Sequence, residues 1–214
     1  MRIIAGQRRG HRIEGPKATA CTRPTSDLVR EALFNIVGDL VVGRPVVDLF
    51  AGTGALGLEA LSRGAARALF IEKNRENVAL IHRNIATLRY QDRCQVRLTD
   101  AYRWVRGLKP MEGPPMAVFL DPPYRDDLER RHQVLELLTL LVEKLPPGSL
   151  IALEASRGLD PSLLPDPDSW DVRRYGNTRL AIRISPEAAP AVPSSKEPGS
   201  RHEDGEHEES SDVV

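Results

Sequence analysis

The segment Pro45-Val46-Val47-Asp48-Leu49-Phe50-Ala51-Gly52-Thr53-Gly54-Ala55-Leu56-Gly57 constrains the fold of this chain more than any other. An apolar run suited to a buried strand enters a loop in which Gly52, Gly54 and Gly57 keep the G-x-G-x-x-G spacing, and the loop opens a helix. Glycines there let the backbone approach a ligand at the helix start. Strand, loop and helix together form the first half of a βαβ unit, which commits the chain to parallel strands. A second apolar run, Ala68-Leu69-Phe70-Ile71, ends in Glu72, twenty residues past Gly52. A carboxylate at that strand tip takes both ribose hydroxyls of an adenosine-containing cofactor.

The fingerprint alone would fit a nicotinamide dinucleotide, but two details point elsewhere. Asp48 lies four residues before the first glycine, where a dinucleotide-binding strand is usually apolar. A carboxylate there repels a pyrophosphate and suits the ammonium of a methionine moiety, directly or through water. The second detail is Asp121-Pro122-Pro123-Tyr124, directly after the apolar run Ala117-Val118-Phe119-Leu120. Pro122 and Pro123 fix φ and lack an N–H, so the backbone leaves the strand in one extended direction with carbonyls free to accept. The Asp121 carboxylate and a proline-side carbonyl can hold an exocyclic amine while Tyr124 stacks on the ring that carries it. This grouping has no evident part in hydride transfer and a clear one in methyl transfer, so the cofactor expected is S-adenosyl-L-methionine. The residues assigned to it are Asp48, Phe50, Gly52, Gly54, Gly57, Glu72 and Asp100. Asp100 follows the Val96-Arg97-Leu98 strand, where it can accept from the adenine amino group or cap the next helix.

The pattern along the chain is that of a doubly wound, Rossmann-like α/β sheet. Strands are expected near 46–50, 68–71, 95–98, 117–120 and 149–153, alternating with helices near 55–63, 75–88, 100–107 and 128–144. Trp170 to Arg174 and Thr178 to Ile184, around Tyr175-Gly176-Asn177, read as a closing antiparallel hairpin. Ahead of the sheet, Arg2-Ile3-Ile4 and His11-Arg12-Ile13 read as a basic hairpin. Leu28, Val29, Ala32, Leu33, Ile36 and Val37 mark one apolar helix face, with Thr25 as N-cap and Gly38 as its end. The division expected is 1–40 as a basic hairpin and helix, 41–185 as the methyltransferase domain and 186–214 as a disordered acidic tail. Ligands of such sheets bind outside the carboxyl ends of the strands, which gathers Asp48, Gly52, Glu72, Asp100 and Asp121 on one rim.

Charge is segregated. Lys and Arg number 30 against 30 Asp and Glu, yet residues 1–30 carry seven Arg or Lys against Glu14 and Asp27, whereas the stretch after Glu187 is acidic and nearly devoid of apolar residues. A basic folded part suits a polyanionic partner, with Arg8, Arg9, Arg12 and Arg23 as phosphate contacts. Cys21 and Cys94 form no metal-binding or disulfide pattern, and no export signal or membrane-spanning run is evident. A monomeric cytoplasmic protein without metal follows.

Several motifs together carry a resemblance. Arg2-Ile3-Ile4-Ala5-Gly6, Arg23-Pro24-Thr25 ahead of Val29-Arg30-Glu31-Ala32-Leu33-Phe34-Asn35-Ile36, the run from Asp48 to Ala65, Glu72-Lys73 and Leu120-Asp121-Pro122-Pro123-Tyr124 resemble the bacterial RsmD family. Its members are 16S ribosomal RNA guanine-N2 methyltransferases. The resemblance spans about residues 1–185 and implies a guanine of the small-subunit RNA, presented in the 30S subunit or an assembly intermediate, as the substrate. Asp121, Pro122, Pro123 and Tyr124 would then be the catalytic group. The sequence departs from the family pattern at Thr53, Leu28 and Asn74, where Ser, a basic residue and Asp are usual. Two other classes share some of these features: an N6-adenine DNA methyltransferase would use the same tetrapeptide, and a non-catalytic ribosome-assembly binder would share the basic leader.

Overall fold

A computed structural model describes residues 1–15, 27–123 and 128–187. Cys21, Arg23, Thr25, Tyr124 and the acidic tail lie outside the described residues.

The element order is α1 (Asp27–Val37), β1 (Pro45–Leu49), α2 (Ala55–Ser62), β2 (Arg67–Glu72), α3 (Arg75–Leu88), β3 (Cys94–Leu98), α4 (Ala101–Arg106), β4 (Ala117–Leu120), α5 (Leu128–Lys144), β5 (Leu150–Ser156), β6 (Trp170–Tyr175) and β7 (Thr178–Ile184). The strands form one sheet in the order β3-β2-β1-β4-β5-β7-β6. The first five are parallel, and β7 and β6 close the sheet antiparallel, as the sequence pattern predicts.

The central strands are buried on both faces because helices cover both, which is why β4 reads as a continuous apolar run and β1 as one broken only by Asp48. Alternation along each strand sorts the side chains into two cores. Val46, Phe70, Ala117 and Phe119 pack with α1, α2 and α3, whereas Val47, Leu49, Ile71, Val118 and Leu120 pack with α4 and α5. At the outer edge β6 presents Asp171, Arg173 and Arg174, charged residues that discourage pairing with another strand.

The N-terminal residues form the expected hairpin. Arg2 pairs with Arg12, Ile3 N–H donates to the His11 carbonyl, and Gly10 N–H returns to Ile3. Ile3 and Ile13 enter the same core as Leu33, Phe34 and Phe119, so hairpin and α1 share one apolar interior with the sheet. Buried Arg30 ties α1 to the hairpin by donating to the Arg2 carbonyl at 2.7 Å and to Asp27 at 2.9 Å.

Candidate cofactor and transfer site

Strand order reverses between β1 and β4, and at such a switch point the loops leave the sheet in opposite directions and open a crevice. Register brings the two motifs together there. Leu49 lies beside Ile71 on one side and Leu120 on the other, so Phe50 and Asp121 leave adjacent strands at the same level. Glu72 pairs with Leu98 one step further along the rim.

The glycine loop has the conformation its residues allow. Gly52 and Gly54 have φ of 54° and 78°, and Phe50, which pays a steric cost for it, has φ of 63°. The Phe50 ring meets Tyr102 edge-on at 5.2 Å. A Cβ at Gly52 would meet nothing nearer than 3.9 Å, so the loop borders open space. Glu72 is mostly buried, with Oε2 accepting from Gly52 N–H and Oε1 from Asn74 N–H, each at 2.8 Å. Both bonds orient the carboxylate, and the one from Gly52 joins the first strand's loop to the second strand's tip.

Asp48 is 1 % exposed, and its Oδ2 accepts the Gly57 N–H at 2.9 Å. Burial pushes its carboxyl well above the usual carboxylate range; the Gly57 amide opposes this, and the charges of Asp121 and Glu72 reinforce it. Three carboxylates from three strands therefore face one electrostatic neighbourhood. Gly57 has a different task from Gly52. A Cβ there would lie 2.4 Å from the Phe70 ring, so its bare backbone permits helix-to-strand packing.

Around β2, β3 and β4 the expectations resolve as follows. Asp100 caps α4, accepting from Arg103 N–H at 3.1 Å, and lies 4.0 Å from Lys73 Nζ. Asn74 is the N-cap of α3, as its position suggests. Asp121 is half-buried, Pro122 is buried and Pro123 is exposed, so the chain leaves the core over these residues. Cys94 has its thiol pushed up to about 12, chiefly by burial, and is an unreactive group.

Among the expected phosphate contacts, Arg9 and Arg12 are exposed on the hairpin. Arg8 departs from that expectation: it is half-buried, its Nε donates to the Leu88 carbonyl at 3.0 Å, and its guanidinium covers the Tyr90 ring. Its charge serves internal packing because the hairpin turns its stem toward α3.

Two polar residues absent from the sequence reading organise the surroundings. Glu59 on α2 is fully buried and accepts from Ile4 N–H at 2.8 Å, Ala5 N–H at 3.0 Å and Arg63 Nε at 2.8 Å. Asn84 on α3 is fully buried and bonds both Glu14 and Thr53. The signal for each was a polar residue inside an apolar helical face, Glu59 between Leu58 and Ala60 and Asn84 between Leu80 and Leu88.

Comparison with known proteins agrees with this geometry. A family model described as "Conserved hypothetical protein 95" matches residues 1–184. Ribosomal RNA small subunit methyltransferase D of Escherichia coli K12 is 37% identical over 176 residues, covering 81% of this chain and 83% of its own. The chain belongs to the RsmD family. Structural comparison agrees on the fold. The solved structure of yhhF from Escherichia coli aligns with a TM-score of 0.70 at 34% identity, covering 88% of this chain and 99% of that one. At 19% identity, an RNA methyltransferase from Salinibacter ruber, solved in complex with S-adenosyl-L-homocysteine, shares the fold with a TM-score of 0.55 over 79% of this chain and 98% of its own. The sheet is thus that of the class I S-adenosylmethionine-dependent methyltransferases.

Proposed function

We propose that this protein transfers a methyl group from S-adenosyl-L-methionine to the exocyclic N2 amine of one guanine in 16S ribosomal RNA. The base is turned out of its helix and presented by the 30S subunit or an assembly intermediate. The observation that carries this reading is the junction of the two motifs at the β1/β4 switch point, where Asp121 stands beside the glycine loop and near Asp48 and Glu72. Membership of the RsmD family supports ribosomal RNA as the substrate class.

The donor set fits the cofactor. Open space over Gly52, the oriented Glu72 carboxylate and acidic Asp48 suit backbone approach, a ribose diol and an ammonium respectively. Phe50 and Gly54 shape the loop around that space, Gly57 lets α2 pack close and holds Asp48 through its amide, and Asp100 bounds the adenine end. When bound, S-adenosylmethionine supplies an electrophilic methyl group on a sulfonium. The protein's part is to position the amine. A guanine N2 amine is conjugated and weakly nucleophilic, so Asp121 and the Pro122 carbonyl accept hydrogen bonds from its N–H groups and favour a pyramidal nitrogen whose lone pair is no longer delocalised into the ring, with the Asp121 carboxylate placed to take the proton that the methylated amine gives up. Pro123 fixes the direction of the backbone, and Tyr124 stacks on the purine. No covalent enzyme intermediate is needed for an amine nucleophile.

Phosphates lie against the leader of residues 1–40, on Arg9, Arg12 and Arg23, and fix the register of the RNA without reading its bases. Ribosomal RNA as substrate places the protein, a monomer in this reading, in the cytoplasm. The test is Asp121→Ala. Methyl transfer to 30S subunits should be abolished while calorimetric affinity for S-adenosylmethionine stays within about threefold, a change of less than 1 kcal/mol. An active Asp121→Ala enzyme overturns the assignment.

A further inference from the structure

Thr53, between the two loop glycines, is tied to both ends of the N-terminal hairpin, to Met1 directly and to Glu14 through Asn84 of α3. Its hydroxyl donates to Met1 Sδ at 3.7 Å, and its carbonyl accepts from Asn84 Nδ2 at 3.0 Å. The same Nδ2 donates to the Glu14 carbonyl at 3.1 Å, while Asn84 Oδ1 accepts the Glu14 N–H at 2.7 Å. Only one orientation of the amide satisfies these partners, since the flipped one sets an oxygen against two carbonyls and an NH2 against an N–H. Asn84 is fully buried, so each lost bond would leave a polar group without water to replace it. The end of the hairpin, one α3 side chain and the cofactor loop therefore shift together.

The same hairpin carries Arg9 and Arg12 on its exposed side. Its first strand is fastened to α2, the helix that starts at the glycine loop, by Glu59 on the Ile4 and Ala5 amides and by Ser62 on the Arg8 amide. Phosphate binding on one face of the hairpin and cofactor binding at the glycine loop that holds Thr53 thus act on opposite ends of one hydrogen-bonded unit.

We propose that Asn84 couples the RNA-facing hairpin to the cofactor loop, so that substrate RNA and cofactor raise each other's affinity. This rests on the function proposed above. Asn84 is a positioning residue in it and touches neither ligand. Linkage requires the effect to be the same in both directions: RNA tightens cofactor by the factor by which cofactor tightens RNA.

The experiment uses S-adenosylhomocysteine as a non-reacting probe, its Kd measured by equilibrium dialysis with and without unmethylated 30S subunits. The full-length parent should bind it on the order of tenfold more tightly when the subunits are present, within the usual range of coupled sites. In Asn84→Ala and Asn84→Asp that ratio should fall to within about twofold, as expected when a coupling of this size is removed. A purely structural role would weaken both Kd values and leave their ratio unchanged, which would overturn the proposal, as would a parent ratio of one. Circular dichroism checks folding. Should both variants be unfolded, Glu14→Pro removes the N–H that Asn84 Oδ1 accepts and should lower the ratio too; an unchanged ratio there also overturns it. Methyl transfer by the parent is measured first. Its absence from ribosomal RNA would sink the proposed function and this coupling together, whereas transfer with a ratio of one would sink only the coupling.

Discussion

Replacing Gly57 by Ala sets two effects against each other, and the structure decides which wins. Gly57 sits in the first turns of α2 and is not among the glycines with positive φ, so Ala meets no backbone strain there. Helix propensity alone would make Gly57→Ala stabilising by about 1 kcal/mol. Against this, the new Cβ would lie 2.4, 2.9 and 3.3 Å from three carbons of the Phe70 ring. Phe70 is fully buried in a close-packed core, so the ring has little free space into which to retreat. Overpacking of this kind costs about 1–3 kcal/mol, and a clash with a confined ring belongs in the upper part of that range. The net expectation is a loss of about 1–2 kcal/mol, or a Tm lower by about 2–8 °C for a chain of this size. Thermal and urea denaturation measure it. Combining the change with Phe70→Leu should make the two substitutions less costly together than their sum, because the smaller side chain frees the contested space. Glu72 is two residues beyond Phe70 on the same strand, so affinity for S-adenosylmethionine should fall in Gly57→Ala. A Gly57→Ala protein as stable as the parent, or more stable, refutes the packing argument.

Three further outcomes follow from the same contacts. The Asp48 carboxyl is raised above its reference value of 3.8, so its contribution to stability is complete below that pH and is lost as pH climbs through the folded-state value. Asp48→Asn, whose Oδ1 still accepts the Gly57 N–H, should flatten the decline of stability with pH above 3.8; equal slopes in urea denaturation would contradict the assignment. In Gly6→Ala the new Cβ would fall 1.9 Å from the Ser62 carbonyl at a φ of 79°, which should detach the hairpin turn from α2 and cost about 2–4 kcal/mol of unfolding free energy. Arg9→Ala and Arg12→Ala should each lower the slope of log affinity for 30S subunits against log salt by about 0.7–0.9, measured by filter binding, and unchanged slopes would remove them from the phosphate contacts.

Much of this architecture was legible because parallel strands, glycine loops and capping residues leave local signatures. The two apolar runs at 46–49 and 117–120, buried on both faces, announced central parallel strands, and Glu72 twenty residues past Gly52 announced the second strand tip. The terminal hairpin was visible in its Tyr175-Gly176-Asn177 turn. Contacts between distant segments were not. Glu59 and Asn84 stand out as polar positions in apolar helix faces, but their partners, hairpin amides 54 to 70 positions away, do not. Arg8 shows the same limit: the sequence places a cation in a basic stretch, but only tertiary packing shows that its stem faces Tyr90 and the Leu88 carbonyl. Asp48 was legible as an anomaly in an apolar strand, whereas its partner, the Gly57 amide, follows only from the way α2 folds back over β1.

The central claim is that this site methylates a guanine amine in small-subunit RNA. Transfer of labelled methyl from S-adenosylmethionine to unmodified 30S subunits, naked 16S ribosomal RNA and duplex DNA, followed by nucleoside analysis, tests it directly. The account predicts N2-methylguanosine on the ribosomal substrates and no label in DNA. N6-methyladenine in DNA, or no transfer to any substrate, would contradict it.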